Sequence, residues 1–183
     1  GKTALSIEVA KHIQSEIIST DSRQIYRYMD IGTGKITPEQ MNWIPHHMID
    51  IIDPSEVFSV VDFIKIALPI IDRIQKEGKI PILCGGTGLY IDGILYEMEY
   101  PDTPPNWGYR EELEKIRIEK WNQELWNMLN QVDPNYANTL EVDNYRYVMR
   151  WLEVIKETGR SKFESIWKKT PGFSPLFITP YSD

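Results

Sequence analysis

Three short stretches of the chain carry side chains that could do chemistry. The sequence opens with "GKT" (Gly1–Thr3), has "DSRQ" beginning at Asp21, and has "CGGTGLY" around Thr87. A lysine and a hydroxyl beside a glycine can bind a diphosphate, with Mg²⁺ at the hydroxyl oxygen. The carboxylate of Asp21 can act as a general base or ligate Mg²⁺ through water. The three stretches therefore suggest a phosphate site and a proton acceptor, provided that the fold brings them together.

The "GKT" stretch matches the last three residues of the phosphate-binding loop G-x-x-x-x-G-K-[ST], without its first five residues. A helix is predicted directly after it, because Leu5, Val9 and Ile13 recur at helical spacing with Ala10 beside them. The positive end of that helix dipole would favour phosphate binding. A flexible terminus is the alternative. A chain that starts inside a motif looks like a fragment.

The other two stretches each follow a predicted strand. Asp21 comes just after "EIIS", and Thr87 comes after "IPILC". Ligands of parallel α/β sheets bind beyond the carboxyl ends of the strands, so we expect both residues at one edge. The glycines beside Thr87 allow a ligand to approach the backbone closely. The alternatives are a carboxylate that caps a turn and a plain strand-to-helix turn.

The elements that must position these residues alternate between helix and strand. A further strand is predicted in "HHMIDIID", before Asp53 and Pro54. A long helix then starts at the cap Ser59, has Asp62 at the capping-box position and stops at Gly78. Pro69 is expected to kink or split that helix. This alternation is typical of an α/β fold with a parallel sheet covered by helices.

The second half of the chain is predicted to be helical. After the proline cluster "PDTPPN", helices are expected over about Tyr109 to Gln131 and Asn144 to Glu157, the latter ending at Gly159. Arg146 and Arg150 lie at i and i+4 on the second of these helices, a spacing that can clamp phosphates. A solvated helix face is the alternative. The predicted domains are an α/β core (1–100), a helical insertion (101–142) and a helical return to the core (143–183).

Composition excludes several classes of protein. The 183 residues are 42% hydrophobic and have a net charge of −7, which argues against disorder and against a general nucleic-acid binder. The charge is uneven, however: the segment from Asp143 to Lys169 has seven bases and four acids. One cysteine, Cys84, excludes an internal disulfide, and no apolar run reaches the roughly 18–20 residues of a membrane span. Zinc is rejected because His46 and His47 would point to opposite strand faces. We expect a cytoplasmic monomer with no membrane association.

These motifs together resemble the tRNA dimethylallyltransferases (tRNA isopentenyltransferases). The resemblance rests on "GKT", "EIISTDSRQIYRYMDIGTGK", "HHMIDIIDP", "FSVVDF", "PILCGGTGLYI", "DP" with "YA", and "RWLEV" followed by "TGR". They occur in the order and spacing of the family over nearly the whole chain. The resemblance implies a P-loop NTPase-like sheet with a helical insertion or second subdomain. It also implies transfer of a dimethylallyl group from its diphosphate to N6 of the adenosine beside the tRNA anticodon.

The resemblance also implies residue roles. Gly1, Lys2 and Thr3 would bind the diphosphate of dimethylallyl diphosphate, with Mg²⁺ at Thr3. Asp21, Thr87 and Arg150 would be the catalytic residues, with Asp21 as the general base on the adenine amino group. The tRNA-binding residues would be Asp21, Ser22, Arg23, Gln24, Thr87, Arg146 and Arg150.

Some features depart from the family pattern. Tyr147 stands where the family has the first arginine of Arg-x-x-Arg-Ala-Leu-Glu, and Trp151 stands at its alanine. The start of the P-loop and the C-terminal helical region of the family are absent from the chain. Three alternatives stay open: a cytokinin-type adenylate isopentenyltransferase, a P-loop small-molecule kinase, and an inactive fragment that only binds RNA.

Overall fold

The structure, a computed structural model, describes residues 1–96, 103–160 and 173–178. Its helices and strands follow one another as α1 (Lys2–Ile13), β1 (Ile17–Ser19), α2 (Pro38–Met41), β2 (His46–His47), α3 (Val60–Lys76), β3 (Ile82–Cys84), α4 (Gly88–Leu95), α5 (Trp107–Val132), α6 (Pro134–Ala137) and α7 (Tyr145–Thr158). The predicted alternation of helices and strands up to α4, followed by helices alone, is confirmed.

The three strands form one parallel sheet in the order β2-β1-β3. Ile17 lies opposite His46 on one side and opposite Ile82 on the other, so β1 is the central strand. Ile17 and Ile18 are fully buried, as a strand covered on both faces requires. The parallel α/β fold predicted from the sequence is therefore confirmed.

Helix α1 forms where the sequence predicts it, but it buries a different face. The buried residues are Ser6, Ile7 and Ala10, whereas Ile13 at the end of the predicted stripe is exposed. Ile7 and Ala10 pack with Ile17 of β1. The small side chains on this face let the helix lie close to the sheet. Close packing, and not hydrophobicity alone, therefore determines which face of α1 is buried.

Helix α3 starts with the predicted capping box. Ser59 accepts from the backbone N–H of Asp62, and the Asp62 carboxylate accepts from the backbone N–H of Ser59. Of the two effects predicted for Pro69, a split is wrong, because α3 runs through the proline without a break, and a kink stays a prediction. Proline costs the helix one hydrogen bond, and burial of apolar residues on both sides of it (Phe63, Ala67, Ile71, Ile74) holds both halves on one core.

The helices after residue 103 build a second apolar core. Leu113, Leu125 and Leu129 of α5 are buried together with Val148 and Leu152 of α7. The prediction of one regular helix over Tyr109 to Gln131 needs correction, because Trp121 has φ 68° and ψ 170° and divides α5 at a kink. The predicted stop at Gly159 is confirmed, with its φ of 66° in the left-handed region that glycine adopts freely.

The chain divides into two compact units. The first comprises Gly1–Met98 and Lys168–Asp183, and the second comprises Glu99–Trp167. The first unit contains the sheet, and the second contains α5, α6 and α7. The predicted domain boundaries after residues 100 and 142 stay a prediction. Over the described ranges, no helix combines the length and the apolar character that crossing a membrane requires.

Candidate active site

The chain leaves β1 and β3 side by side at the carboxyl edge of the sheet. Ser19 pairs with Cys84, and the backbone N–H of Thr20 donates to the Cys84 carbonyl at 2.9 Å. The backbone N–H of Thr87 then donates to the Thr20 carbonyl, also at 2.9 Å. The stretches "DSRQ" and "GGTG" thus start from adjacent positions, so the expectation that they share one edge is correct.

The Thr87 hydroxyl joins these two stretches. Its Oγ1 accepts from the backbone N–H of Ser22 at 3.0 Å and donates to Oγ of Ser22 at 3.1 Å. Thr87 is also the N-cap residue of α4, yet its side chain makes no capping hydrogen bond. A capping threonine usually contributes about 1 kcal/mol to its helix. Here the hydroxyl instead makes a contact between residues 65 positions apart, so Thr87 serves the site more than its own helix.

Among the described residues, the carboxylate of Asp21 accepts a hydrogen bond at only one of its two oxygens. Its Oδ1 accepts from the backbone N–H of Arg23 at 2.9 Å, which closes a local turn. Within the described residues, Oδ2 takes no hydrogen bond, and the side chain is half-buried. The carboxylate is therefore oriented and keeps one oxygen available to accept a proton.

Tyr90 contributes to this edge and was given no role from the sequence. Its ring is buried and stacks on Phe63 at a centroid distance of 4.1 Å. Burial raises the pKa of Tyr90 to about 12, with smaller contributions from the charges of Tyr26, Asp62 and Asp21. The phenol therefore stays neutral in the electrostatic neighbourhood of Asp21. The signal was its position in "GGTGLY", but spacing alone does not tell a core tyrosine from a site tyrosine.

The segment after "DSRQ" is fixed by pairing with residues 50–52. Tyr26 forms a parallel bridge with Ile52, and the N–H of Arg27 donates to the Ile52 carbonyl at 2.9 Å. The side-chain amide of Gln24 donates to the Gly34 carbonyl at 3.2 Å. Arg23 directly precedes these anchors, is exposed, and has no side-chain partner among the described residues. Gln24 thus supports the loop, whereas Arg23 can reach a ligand.

Lys35 is a buried anchor of the same loop that the sequence analysis missed. Its side chain is 5% exposed, and Nζ donates to the Tyr26 carbonyl at 2.7 Å, to Asp30 at 2.6 Å and to Asp50 at 2.5 Å. Burial opposes the charge, but the bonds to the two carboxylates outweigh it and raise the pKa of Lys35. This ammonium group ties both ends of the loop together.

The predicted diphosphate-binding residues lie at the start of α1. Gly1 is its N-cap residue, and Lys2 and Thr3 lie in its first turn with exposed side chains. Only three residues separate α1 from β1, and α1 packs on the sheet, so the helix runs back along the strand. Its amino end therefore faces the carboxyl edge of the sheet, the edge at which Asp21 follows β1. Unbonded N–H groups of a first turn are suited to anions.

The donor atoms here fit a Mg²⁺ ion that a diphosphate carries. The hydroxyl of Thr3 would be one oxygen ligand, and the described residues contain no group of three His, Cys, Asp or Glu side chains that could hold a metal. Mg²⁺ usually keeps several waters and binds through few protein ligands plus substrate phosphates. A lone hydroxyl beside a phosphate-binding helix end matches that habit.

Arg146 and Arg150 lie in the second unit, on α7. Arg150 donates to Glu153 at 2.5 Å and to the Thr103 carbonyl at 3.0 Å. Arg146 is exposed, with its guanidinium 5.9 Å from the centre of the Tyr145 ring. Glu153 is fully buried and was not singled out from the sequence. Burial would raise its pKa, but hydrogen bonds from Arg110 and Arg150 lower it, so it remains charged.

The opposite end of β1 carries a different carboxylate. Glu16 accepts from Arg73 at 2.6 Å and is bonded to Nε2 of His47 at 2.6 Å, with Lys79 at 3.7 Å. The hydrogen bond from Arg73 is the largest of the effects that lower the pKa of Glu16 to about 2. His46 contacts the Ile44 carbonyl through Nδ1 at 2.8 Å. The two histidines therefore have separate partners at this end of the sheet.

The fold and the site define a class of protein: an α/β protein in which a candidate phosphate-binding helix end and a general-base candidate share the carboxyl edge of a parallel sheet. The family model for IPP transferase matches residues 24–181. Since that match covers most of the chain, the chain belongs to the IPP transferase family. The resemblance found in the sequence motifs is confirmed.

Individual relatives agree with this assignment. The chain is 48% identical over 159 residues to a tRNA dimethylallyltransferase of Alkaliphilus oremlandii, covering 87% of this chain and 51% of the relative. It is 43% identical over 182 residues to a tRNA dimethylallyltransferase of Caldanaerobacter subterraneus subsp. tengcongensis. That match covers 97% of this chain and 58% of the relative. The chain thus spans a little over half the length of the curated relatives that it matches.

Solved structures show the same fold. A crystal structure of a eukaryotic dimethylallyltransferase acting on tRNA matches with a TM-score of 0.74 at 30% identity, covering 94% of this chain and 43% of that one. A full-length tRNA isopentenylpyrophosphate transferase from Bacillus halodurans matches with a TM-score of 0.55 at 47% identity. That match covers 87% of this chain and 52% of the other chain. The P-loop NTPase-like sheet implied by the sequence motifs is thereby confirmed.

Proposed function

We propose that this protein transfers a dimethylallyl group from dimethylallyl diphosphate to N6 of the adenosine adjacent to the tRNA anticodon, releasing diphosphate. The observation that carries the proposal is the contact of the Thr87 hydroxyl with Ser22. It joins the two stretches that the family motifs share, and it leaves Asp21 beside them with an open carboxylate oxygen. Membership of the IPP transferase family supports the reaction class.

Asp21 acts as the general base. The exocyclic amine of adenine is a poor nucleophile, because its lone pair is delocalised into the ring. A carboxylate that takes one amino proton as the N6–C1 bond forms lowers that barrier. The turn hydrogen bond from Arg23 to Oδ1 orients the carboxylate, and the second oxygen receives the proton.

The amino end of α1 receives the leaving group. As the C1–O bond breaks, its electron pair departs with the diphosphate, so negative charge grows there. The ammonium group of Lys2, the N–H groups of the first turn after Gly1 and the Thr3 hydroxyl all lie at this helix end. Fixed positive groups at the site of developing charge are among the strongest sources of rate enhancement. Mg²⁺ held at Thr3 would neutralise further charge on the departing oxygens.

The remaining residues bind the acceptor RNA. A target base must leave its stack to enter such a site. Next to Asp21, the Ser22–Thr87 pair and the exposed Arg23 would hold that nucleotide, while Gln24 would keep the loop in place through its bond to Gly34. Arg146 and Arg150 would contact the phosphate backbone of the RNA. Such an enzyme would work as a cytoplasmic monomer.

The test is incubation of the full-length protein with labelled dimethylallyl diphosphate and Mg²⁺, together with either tRNA or AMP. The proposal predicts label in tRNA, and nuclease digestion followed by mass spectrometry should find it on the adenosine next to the anticodon. Label in AMP alone would point to the cytokinin-type reaction instead. Phosphorylation of a small molecule by ATP without prenyl transfer would point to a kinase.

A further inference from the structure

The first two turns of α7 present an aromatic ring beside two arginines. At about 100° per residue, Arg150 lies between Arg146 and Tyr147 around the helix axis. Tyr147 is 62% exposed, while Val148 next to it is fully buried in the core. Within the described ranges, the Tyr147 hydroxyl makes no hydrogen bond. The ring is thus open to a ligand on a helix whose core contacts are made by other residues.

The two arginines near this ring differ in whether a carboxylate already pairs with their charge. Arg146 makes no ion pair in the part of the chain that the structure describes, so its charge is available. Arg150 is fixed by Glu153 and by the Thr103 carbonyl. Glu153 itself is held by Nε and Nη2 of Arg110, both at 2.9 Å. One buried carboxylate offset by two arginines leaves a net positive charge beside the exposed ring.

We propose that Tyr147 is a stacking residue for an unpaired nucleobase of the RNA substrate. The inference rests on the proposed function, since it assumes that the acceptor is a tRNA loop. Unpaired bases in RNA loops are bound by stacking on exposed aromatic rings, while nearby arginines contact the phosphates. The ring of Tyr147 and the charges of Arg146 and Arg150 supply both kinds of contact on one helix surface.

The side-chain type at position 147 makes the proposal specific. The family motif has an arginine here, which can form an ion pair with a phosphate. Tyrosine has no charge, so its contribution comes from the ring face and does not displace counterions. Its part of the affinity should therefore be independent of salt, unlike a phosphate contact.

The test measures binding of the full-length protein to a fluorescent tRNA anticodon stem-loop at several salt concentrations. Tyr147→Ala should weaken binding roughly 5- to 100-fold and leave the slope of log K against log salt unchanged. Tyr147→Phe should restore binding, since it keeps the ring and removes only the hydroxyl. Tyr147→Arg should steepen the slope by about 0.7, the value of one extra phosphate contact on a single strand.

Three outcomes would overturn the inference. The first is a Tyr147→Ala variant that binds the stem-loop as tightly as wild type, the result expected if the ring serves a protein partner. The second is a Tyr147→Phe variant that loses as much affinity as Tyr147→Ala, which would assign the effect to the hydroxyl. The third is a salt slope that falls in Tyr147→Ala. Thermal unfolding of each variant checks that the fold is intact.

The prenyl-transfer assay keeps this inference separate from the proposed function. If wild type and Tyr147→Ala modify and bind tRNA equally well, only the role of Tyr147 is wrong. If wild type places no label in tRNA, the proposed function itself is wrong.

Discussion

A carboxylate flanks each end of β1, and the two carboxylates differ in how many of their oxygens have hydrogen-bond or ion-pair partners. Glu16 precedes the strand and is saturated by Arg73, His47 and Lys79. Asp21 follows the strand and receives one backbone N–H among the described residues. A carboxylate whose oxygens both have cationic or N–H partners is stabilised in its charged form and disfavours taking up a proton. A carboxylate with one oxygen free of such partners can accept a proton there. The two ends of the strand thus carry a carboxylate that stabilises the fold and a carboxylate that is proposed to react.

The largest effect should come from removing the reactive acid. Asp21→Asn keeps the side-chain shape but cannot accept the amino proton, so turnover should fall roughly 10²- to 10⁴-fold. tRNA binding and thermal unfolding should stay nearly unchanged. Single-turnover rates with labelled dimethylallyl diphosphate measure the effect. Glu16→Gln is the matched control, with wild-type turnover per folded molecule; equal turnover in Asp21→Asn and wild type would refute the general-base role.

The second effect concerns the backbone that aligns the reactive edge. A Cβ atom on Gly85 would lie 2.3 Å from the carbonyl carbon of Thr20. Gly85→Ala must therefore push the ends of β1 and β3 apart and should cost about 3 kcal/mol of unfolding free energy. Gly86→Ala is a close control, because a Cβ there meets nothing within 4 Å. Chemical denaturation of both variants measures the difference, and equal stabilities would show that this close approach is not required.

The third effect comes from the saturated acid. Glu16→Gln removes the charge that Arg73 and His47 share, and unfolding free energy should fall by about 2 kcal/mol, since Arg73 is partly exposed and screened. Lys79→Met removes only the 3.7 Å contact and should cost less. Denaturation curves near neutral pH measure both. A fully stable Glu16→Gln protein would mean that this network adds nothing to the fold.

The same residue predicts a pH dependence. The pKa of Glu16 falls from 4.5 in the unfolded chain to about 2 in the fold, chiefly through the hydrogen bond from Arg73. The unfolded chain therefore binds the proton first as pH falls. The stabilisation is complete above about pH 4.5 and disappears toward pH 2. The stability difference between wild type and Glu16→Gln should shrink over that window; a constant difference would contradict the assignment.

The smallest effect should come from the contact that joins the two motifs. Thr87→Ala removes both hydrogen bonds to Ser22, and turnover should fall roughly three- to tenfold, the value of one net hydrogen bond. Thr87→Ser keeps the hydroxyl and should recover most of the rate. Steady-state kinetics with tRNA distinguish the two variants. If alanine and serine behave alike, the hydroxyl is not needed at this edge.

Local features of the sequence predicted much of the fold. The capping box of Ser59 and Asp62, the glycine stop at Gly159 and the strand "EIIS" are set by residues close in the chain, and the structure contains all three. The shared edge of Asp21 and Thr87 followed from the general geometry of parallel sheets. These predictions needed no knowledge of distant contacts.

The features that were missed depend on distant partners. The role of Glu16 is set by Arg73, 57 positions away, and the bond from Ser22 to Thr87 spans 65 positions. The continuity of α3 through Pro69 depends on a core that both halves of the helix share. Neither propensity nor spacing encodes such contacts, because they result from packing the whole unit.

The strand order sets when the reactive edge can form during synthesis. The central strand β1 is made first, yet its neighbour β3 follows about 65 residues later, the separation between Ser22 and Thr87. At roughly 5–20 residues per second, a ribosome needs about 3–13 s to make that stretch. During this interval the edge of β1 that β3 will cover stays open, and Asp21 has no Thr87 to complete its surroundings. The nascent chain therefore has the amino end of α1 and Asp21 well before it has Thr87, so under the proposed function this edge stays incomplete until β3 and the start of α4 have been made.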